Sequence, residues 1–278
     1  HLMELLGSEG LIRLAWLHRW LFEENYSFVK KDFGRSFRPQ GSDEDLVKYG
    51  DLIAGQMMRQ GLPESTAESR AALDETYIEF LRLLETHLIE HPYFLGGHPS
   101  AADYSIMGAV HAHLGRDPAG LRLMQDNAPR VFRWVEHMMV PEVQSPEFFS
   151  REIEYLANDQ VPETALAILH WITVQYGEQF VLGALAFNQH VVRLNPGPDY
   201  ELDRDYDQPV LPEESVDYDG RSVNHSANLH AVWLSQRSRQ YFQDLLSNEK
   251  QEIEKMFGPG VLLDLLEVSV VREIIRKD

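Results

Sequence analysis

Apolar side chains recur at intervals of three and four residues through most of the chain. The first such stretch covers residues 9–32 and contains Leu11, Leu14, Leu17, His18, Leu21, Phe22 and Phe28. This spacing is the period of one face of an α-helix. It therefore predicts one long amphipathic helix that ends near Gly34.

Turn and capping residues divide the rest of the pattern into further segments. The predicted helices cover residues 42–60, 65–91, 100–114, 127–139, 162–190 and 225–256, with a short apolar tail at 261–275. Residues 104–114 are apolar on all sides, which is typical of a helix buried in the middle of a bundle. Because no strand–helix–strand alternation is found, the predicted fold class is all-α.

Ser100 and Asp103 mark one helix start sharply. A serine at the N-cap can accept a hydrogen bond from a free backbone amide, and an acidic residue three positions later can accept from the serine N–H. We therefore assign Ser100 and Asp103 a structural role as a helix cap rather than a catalytic one.

The composition changes between Asn195 and Gly220, where Pro, Asp, Glu and Tyr replace the apolar periodicity. Such a stretch is typical of an exposed loop. We predict one all-helical domain over residues 1–278, with a core at 9–194, an acidic loop at 195–220 and a C-terminal helical extension at 221–278.

Charge and cysteine content exclude several classes of function. The chain has 25 Lys and Arg against 44 Asp and Glu, a formal net charge of -19. This field repels phosphate backbones and anionic lipid surfaces, so nucleic acid and membranes are not expected partners. With no cysteine, disulfides, thiolate metal sites and a cysteine nucleophile are excluded. The composition is compatible with a cytoplasmic setting.

The segment Tyr93–Tyr104, with Gly96-Gly97-His98-Pro99 before the Ser100 cap, resembles the capped helix start at the centre of the glutathione transferase helical domain. Other segments look like a bacterial glutathione-transferase-like group: Trp16–Trp20, His111–Pro118, Ala128–Val135, Val161–Thr164 and His230–Arg237. The resemblance covers roughly residues 9–250. It implies a helical bundle like the C-terminal domain of that family.

In this superfamily an N-terminal thioredoxin-like domain binds glutathione, and the helical domain lines the pocket for a hydrophobic electrophile. Residue 9 already lies in the part that resembles the helical domain, so we expect the thioredoxin-like half and its activating Tyr, Ser or Cys to have no counterpart here. The resemblance then implies an electrophile-binding half, with glutathione as co-substrate and a homodimer as one expected assembly. No catalytic residue is carried over. The alternative is a non-catalytic binding or assembly module that contacts a protein partner through a helical face or the acidic loop.

Several aromatic, thioether and imidazole side chains could line an apolar pocket. They are Trp16, His18, Trp20, Tyr104, Met107 and His111, with His113 nearby. Tyr104, Met107 and His111 are spaced at i, i+3 and i+7 and so share a helical face. Burial in the core is the alternative interpretation for each of them. Arg19 and Arg116 could bind a carboxylate or form ordinary ion pairs.

Two patterns allow a metal-ion hypothesis. His87-Leu88-Ile89-Glu90-His91 matches the H-x-x-E-H order of inverted zinc peptidases, although it lies at a helix end where such residues are usually solvated. Asp203, Asp205, Asp207 and Glu214 occupy calcium-loop positions, but Gln208 replaces the required glycine. We predict no metal ion and no cofactor held by this chain.

Overall fold

The computed structural model describes residues 1–58, 62–140, 146–148, 153–195, 202–203 and 210–275. The helices, in chain order, are α1 Leu2–Leu5, α2 Ile12–Leu21, α3 Tyr26–Phe37, α4 Asp43–Met58, α5 Ala67–His87, α6 Ala101–Ala109, α7 Pro118–Asn127, α8 Pro129–Met138, α9 Glu163–Tyr176, α10 Glu178–Leu194, α11 Leu229–Asp244, α12 Ser247–Phe257 and α13 Val261–Glu267. The strands are β1 Leu202–Asp203, β2 Glu214–Tyr218, β3 Arg221–His225 and β4 Ile274–Ile275. Helix dominates, which confirms the all-α prediction.

The contacts divide the chain into two compact units. One comprises residues 11–168, and the other comprises residues 1–10 together with 169–278. The prediction of a single domain over residues 1–278 stays a prediction. In the described part of the chain, none of the helices is long and apolar enough to cross a membrane.

In the unit of residues 11–168, helix α2 packs against α5, α6, α7 and the π-helical segment Val110–Leu114 that continues α6. Fully buried apolar side chains fill the space between these elements: Leu14, Tyr77, Phe80, Leu81, Leu84, Ile106, Val110 and Leu114. Helices α3 and α4 form a closely packed pair in the same unit. This arrangement places α2 and α6 side by side.

The prediction of one helix over residues 9–32 is wrong. The helix ends at Leu21, Phe22 adopts an extended conformation with φ -109° and ψ 111°, and a 3₁₀ turn at Glu23–Asn25 leads into α3. The apolar period continues through the break because Leu21, Phe22 and Val29 are all buried. Helix α7 was not predicted, although Pro118 at its first position is a recognised helix-start signal.

In the other unit, α10 packs against α11, α13 and the hairpin of β2 and β3. Its core contains Phe187, Val216, Leu229, Val232 and Ile274. β1 and β4 form a short parallel pair. The predicted helix over 162–190 is divided at Gly177 into α9 and α10.

The hairpin corrects the predicted boundary between an acidic loop at 195–220 and a helical extension from 221, because its strands lie on both sides of that boundary. Val216 pairs with Val223 across the antiparallel strands. Asp219 and Gly220 connect them with φ values of 49° and 72°, both left-handed. A two-residue Asp-Gly connection with positive φ at both positions is the preferred turn of a tight hairpin. The sequence signal was present but was outweighed by the acidic composition.

Candidate functional site

A buried ion pair fixes the C-terminal half of α2. The Arg19 guanidinium donates to the two carboxylate oxygens of Asp117 at 2.6 and 2.9 Å, and Nη2 also donates to the Ala112 carbonyl at 2.8 Å. Both side chains are almost fully buried. Burial raises the pKa of Asp117, and the guanidinium of Arg19 opposes that shift. Arg19 is therefore a positioning residue whose charge is already neutralised.

Asn25 connects the end of α2 with the start of α7. Its Nδ2 donates to the carbonyls of His18 and Arg19 at 3.0 and 3.3 Å, and its Oδ1 accepts from the Ala119 N–H at 2.9 Å. The side chain has no solvent exposure. Backbone groups at helix ends lack partners within the helix, so this amide satisfies three groups that burial would otherwise leave unpaired.

Ser100 and Asp103 form a reciprocal capping box at the start of α6. Asp103 Oδ2 accepts from the Ser100 N–H at 2.8 Å and from its hydroxyl at 2.7 Å. Asp103 Oδ1 accepts from the Phe94 N–H at 3.0 Å, a contact that the capping pattern does not reveal. Burial raises the pKa of Asp103 to about 6. The carboxylate thus holds together the helix start and the preceding turn.

Two of the pocket residues predicted on α2 lie in the core. Trp20 is buried and its ring contacts those of Trp16 and Phe33, with centroids 5.7 and 5.9 Å apart. His18 is buried on another side of the helix, where Nε2 donates to Asp74 Oδ1 at 3.0 Å. Its ring stacks on Phe22. Of the three pocket residues predicted on α2, Trp16 alone is half-buried and retains surface that a ligand could contact.

The face of α6 predicted to carry three side chains is divided by burial. Tyr104 is 52% exposed and His111 is half-buried, whereas Met107 is only 8% exposed. Gly108 lies between Tyr104 and His111, and a Cβ atom placed on it would meet no atom of the described residues within 4 Å. The open stripe therefore consists of Tyr104, Gly108 and His111. A lone glycine inside a helical pattern was the sequence signal for this opening.

The histidines near this stripe are electrically neutral at neutral pH. Burial lowers the pKa of His111, and Arg116 adds to the effect. Burial, followed by the charge of Arg19, lowers the pKa of His113 to about 4. Arg116 itself forms a half-exposed ion pair with Asp32 at 2.8 Å. The stripe thus presents an aromatic ring and an uncharged imidazole.

The H-x-x-E-H pattern does not form a metal site. His87 is buried, with Nε2 donating to the Tyr93 carbonyl at 3.1 Å and Nδ1 accepting from the Thr164 hydroxyl at 2.8 Å. Burial lowers the pKa of His87 to about 4. Because both ring nitrogens are engaged, neither is free to bind zinc. Among the residues that the structure describes, no group of three or more His, Cys, Asp or Glu side chains could hold a metal ion.

The predicted calcium-loop positions lie partly outside the described residues, namely Asp205 and Asp207. Asp203 lies in β1. Glu214 accepts hydrogen bonds from Arg193 Nε at 3.0 Å and from His190 Nδ1 at 3.2 Å. These two donors lower the pKa of Glu214, with the Arg193 hydrogen bond as the largest cause. Its carboxylate is therefore committed to a side-chain network at the hairpin.

Comparison with known families gives a match over part of the chain. Residues 67–137, which include α5, α6, α7 and most of α8, match the family described as glutathione S-transferase, C-terminal domain. Comparisons with curated proteins and with solved structures gave no match. The matched segment contains the Ser100–Asp103 cap and the open stripe of α6.

Proposed function

We propose that this chain, whose residues 67–137 match the glutathione S-transferase C-terminal domain family, binds an apolar electrophile and positions it for glutathione conjugation or a related thiol reaction. The observation that carries the proposal is the uncovered stripe Tyr104–Gly108–His111 on a helix inside the matched segment. We propose this stripe as the electrophile-binding face.

The chemistry of the stripe suits an uncharged aromatic ligand. Tyr104 offers a ring for stacking, and the missing side chain at Gly108 leaves room for a flat molecule against the helix. The lowered pKa of His111 further disfavours a charge that would have to be desolvated when the ligand binds. Tyr104 and His111 also supply polar atoms that can orient the ligand.

The half-buried Trp16 lies on α2, the helix beside the one that carries this face. Helix α2 packs against the π-helical segment that carries His111, and Arg19 ties α2 to the Ala112 carbonyl within that segment. Trp16 lies one turn before Arg19 and rests against Trp20. The buried ion pair already fixes α2 against this segment. The two helices therefore lose little conformational freedom when a ligand binds, which favours precise positioning.

The role proposed for these residues is limited to binding, orientation and exclusion of water. None of them is assigned to glutathione, and none activates its thiol. The reaction class requires a sulfur–carbon bond to form at the electrophilic carbon as the leaving group departs. Holding that carbon at a fixed position is the contribution of the helical domain.

Equilibrium dialysis with 1-chloro-2,4-dinitrobenzene tests the proposal, because the chain has no cysteine thiol to consume the electrophile. We expect saturable binding that Tyr104→Ala weakens by about 3- to 10-fold, the usual contribution of an aromatic contact. Gly108→Leu should weaken binding by filling the gap. Gly108→Ala should retain most of it.

Phe37→Ala is the matched control, since Phe37 is an exposed aromatic residue on α3. This variant should bind the electrophile like the unmodified protein. Binding that neither Tyr104→Ala nor Gly108→Leu affects would place the ligand elsewhere. A complete lack of saturable binding would instead favour the binding or assembly module.

A further inference from the structure

Arg239 on α11 is a buried cation whose hydrogen-bonding capacity is only partly used. The side chain is 3% exposed. Its Nη2 donates to the Val232 carbonyl at 3.0 Å and to the Ser235 hydroxyl. Its Nε and Nη1 are buried and have no hydrogen-bond partner in the part of the chain that the structure describes. Three N–H groups of the guanidinium are therefore unused.

No described carboxylate neutralises this guanidinium. Within the described residues, burial is the one cause that lowers the pKa of Arg239, to about 10, and no acidic side chain contributes. Arg239 is still protonated at neutral pH. The neighbouring Ser238 hydroxyl is also buried and has no hydrogen-bond partner among the described residues. Burying an unpaired charge is costly, and such groups call for a compensating interaction.

A pocket of about 830 Å³ lies against this arginine. It is lined by His1, by α11 and by the C-terminal segment, including Trp233, Arg239, Tyr241, Val270 and Ile274. Pockets that bind small organic ligands usually have volumes between about 300 and 1,000 Å³. The Gln236 side chain holds one wall in place, because its amide exchanges hydrogen bonds with the backbone N–H and carbonyl of Ile274 at 2.7 and 3.1 Å.

The other charged groups limit where an anion can bind. Asp244 and Glu273 also line the pocket, so the negative charge of a ligand is favoured only where it pairs with a cation such as Arg239. Asp244 already accepts from the Gln240 amide at 3.0 Å. Arg237 lines the pocket as a second cation, with its guanidinium 5.9 Å from the centre of the Trp233 ring. One acidic group with an apolar body fits this distribution.

We propose that this pocket binds a small organic anion and that Arg239 pairs with its carboxylate or phosphoryl group. Trp233, Val270 and Ile274 contact the apolar body of the ligand. A guanidinium forms charge-assisted hydrogen bonds with both kinds of oxyanion. All these residues lie outside the matched segment, so the proposal does not depend on the electrophile-binding face.

Calorimetric titration with three related probes tests this site. Phenylacetate and phenyl phosphate supply the two kinds of oxyanion, and phenylacetamide is the neutral analogue. We expect at least one anion to bind the unmodified protein saturably, and Arg239→Met to weaken that binding by about tenfold or more, as for loss of a hydrogen bond to a charged group. The anion that binds more tightly identifies the class of ligand.

Arg221→Met is the matched control, because Arg221 is a half-exposed arginine already paired with Glu178. It should leave anion binding unchanged. Phenylacetamide should bind weakly and equally to the unmodified protein and to Arg239→Met. Arg239→Met should also keep or raise Tm in the absence of ligand, because it removes a buried charge.

The Nε–H signal of Arg239 in NMR spectra provides a test that does not need the Met variant to fold. The signal is assigned by its absence from Arg239→Lys, and it should shift on addition of the anion that binds. The proposal is overturned if neither anion binds at millimolar concentration, if the arginine signal does not respond, or if a folded Arg239→Met variant binds as tightly as the unmodified protein.

Discussion

His87 shows how a buried side chain makes the stability of the fold depend on pH. Its neutral ring is held between the Thr164 hydroxyl and the Tyr93 carbonyl, and it stacks on His91 and Phe94. Protonation would require Nδ1 to become a donor and would introduce a charge where burial disfavours one. The neighbouring His91 adds to the lowering of its pKa, and the hydrogen bond to Tyr93 opposes it.

The sign of the pH effect follows from the lowered pKa. The unfolded chain binds a proton at His87 below a pH of about 6.5, whereas the folded chain does so only near pH 4. The stability contribution is therefore complete above pH 6.5 and is lost as the pH falls toward 4. At about 1.4 kcal/mol per pKa unit, the loss is on the order of 3 kcal/mol in the free energy of unfolding.

Denaturant unfolding of His87→Gln between pH 7 and pH 4 tests this prediction. Glutamine can donate to Tyr93 and accept from Thr164 but does not titrate, so the variant should lose less stability on acidification than the unmodified protein. His113 acts in the same direction as His87, and Asp103 in the opposite one. The difference in the free energy of unfolding between the variant and the unmodified protein isolates the contribution of His87 from those of the other two residues.

If this difference stays the same from pH 7 to pH 4, the prediction is contradicted. His170→Gln, at an exposed position on α9, is the control.

At the scale of elements, two glycines allow α3 and α4 to approach closely. A Cβ on Gly34 would overlap the backbone of Leu46 in α4, and a Cβ on Gly50 would overlap the backbone of Lys30 in α3. The contact is thus reciprocal, with each helix supplying one glycine against the backbone of the other. Because the obstructing atoms belong to the backbone, rotation of a side chain cannot relieve the overlap.

We expect Gly34→Ala to destabilise the protein by about 1–3 kcal/mol or more, the usual cost of overpacking. The same substitution at Gly108 should stabilise it by about 0.5–1 kcal/mol, because the new methyl group meets open space and alanine favours the helix. Thermal or denaturant unfolding of the two variants measures both effects. If both variants change stability by the same amount in the same direction, helix propensity, rather than the close contact of α3 and α4, determines the effect of substituting Gly34.

The sequence predicted an element correctly where its apolar residues lie on one face. It failed where apolar residues are buried on both sides of a break in the helix. The period identified α4, α5 and α8 to within a few residues, and Ser100 located the start of α6. The apolar period continues through the break at Phe22, because apolar side chains are buried on both sides of that break. The hydrogen bonds of the Asn25 amide, which help to end α2, join groups that no local pattern connects.

The same distinction applies to the candidate site. Tyr104 and His111 were predicted to share a face, and the structure places both on the open side of α6 and the π-helical segment that continues it. Met107 differs because its position lies toward the buried edge of the stripe. Trp20 and His18 were candidates by residue type alone, and only tertiary packing could decide that they lie in the core. Arg239 carried no sequence signal, because its burial without a counter-ion depends on contacts with other parts of its unit.

At the scale of the whole molecule, the formal net charge of -19 outweighs individual ion pairs. Many of the surface pairs are half exposed, such as Arg122–Glu24 and Arg133–Glu147, and each contributes little. Repulsion among the excess carboxylates acts over longer distances and opposes the compact state. Dissolved salt screens it.

We therefore expect Tm to rise by a few degrees when NaCl is increased from low to near-physiological concentration, since about 1 kcal/mol corresponds to roughly 2–4 °C for a chain of this size. KCl should have the same effect as NaCl, because screening depends on ionic strength. A fall in Tm with either salt would show that the stabilisation by local ion pairs is larger than the destabilisation by repulsion among the carboxylates.

The burial of Asn25 also determines which asparagine could carry a glycan if the chain were produced in a secretory host. Asn25-Tyr26-Ser27 and Asn224-His225-Ser226 both match the acceptor pattern for N-linked carbohydrate. A glycan on Asn25 would occupy the nitrogen that closes α2, in a place with no room for a sugar, whereas Asn224 is exposed on β3. Molecules glycosylated at Asn25 during synthesis should therefore fail to fold, and secreted material should carry carbohydrate at Asn224 alone, as mass spectrometry of its peptides would show.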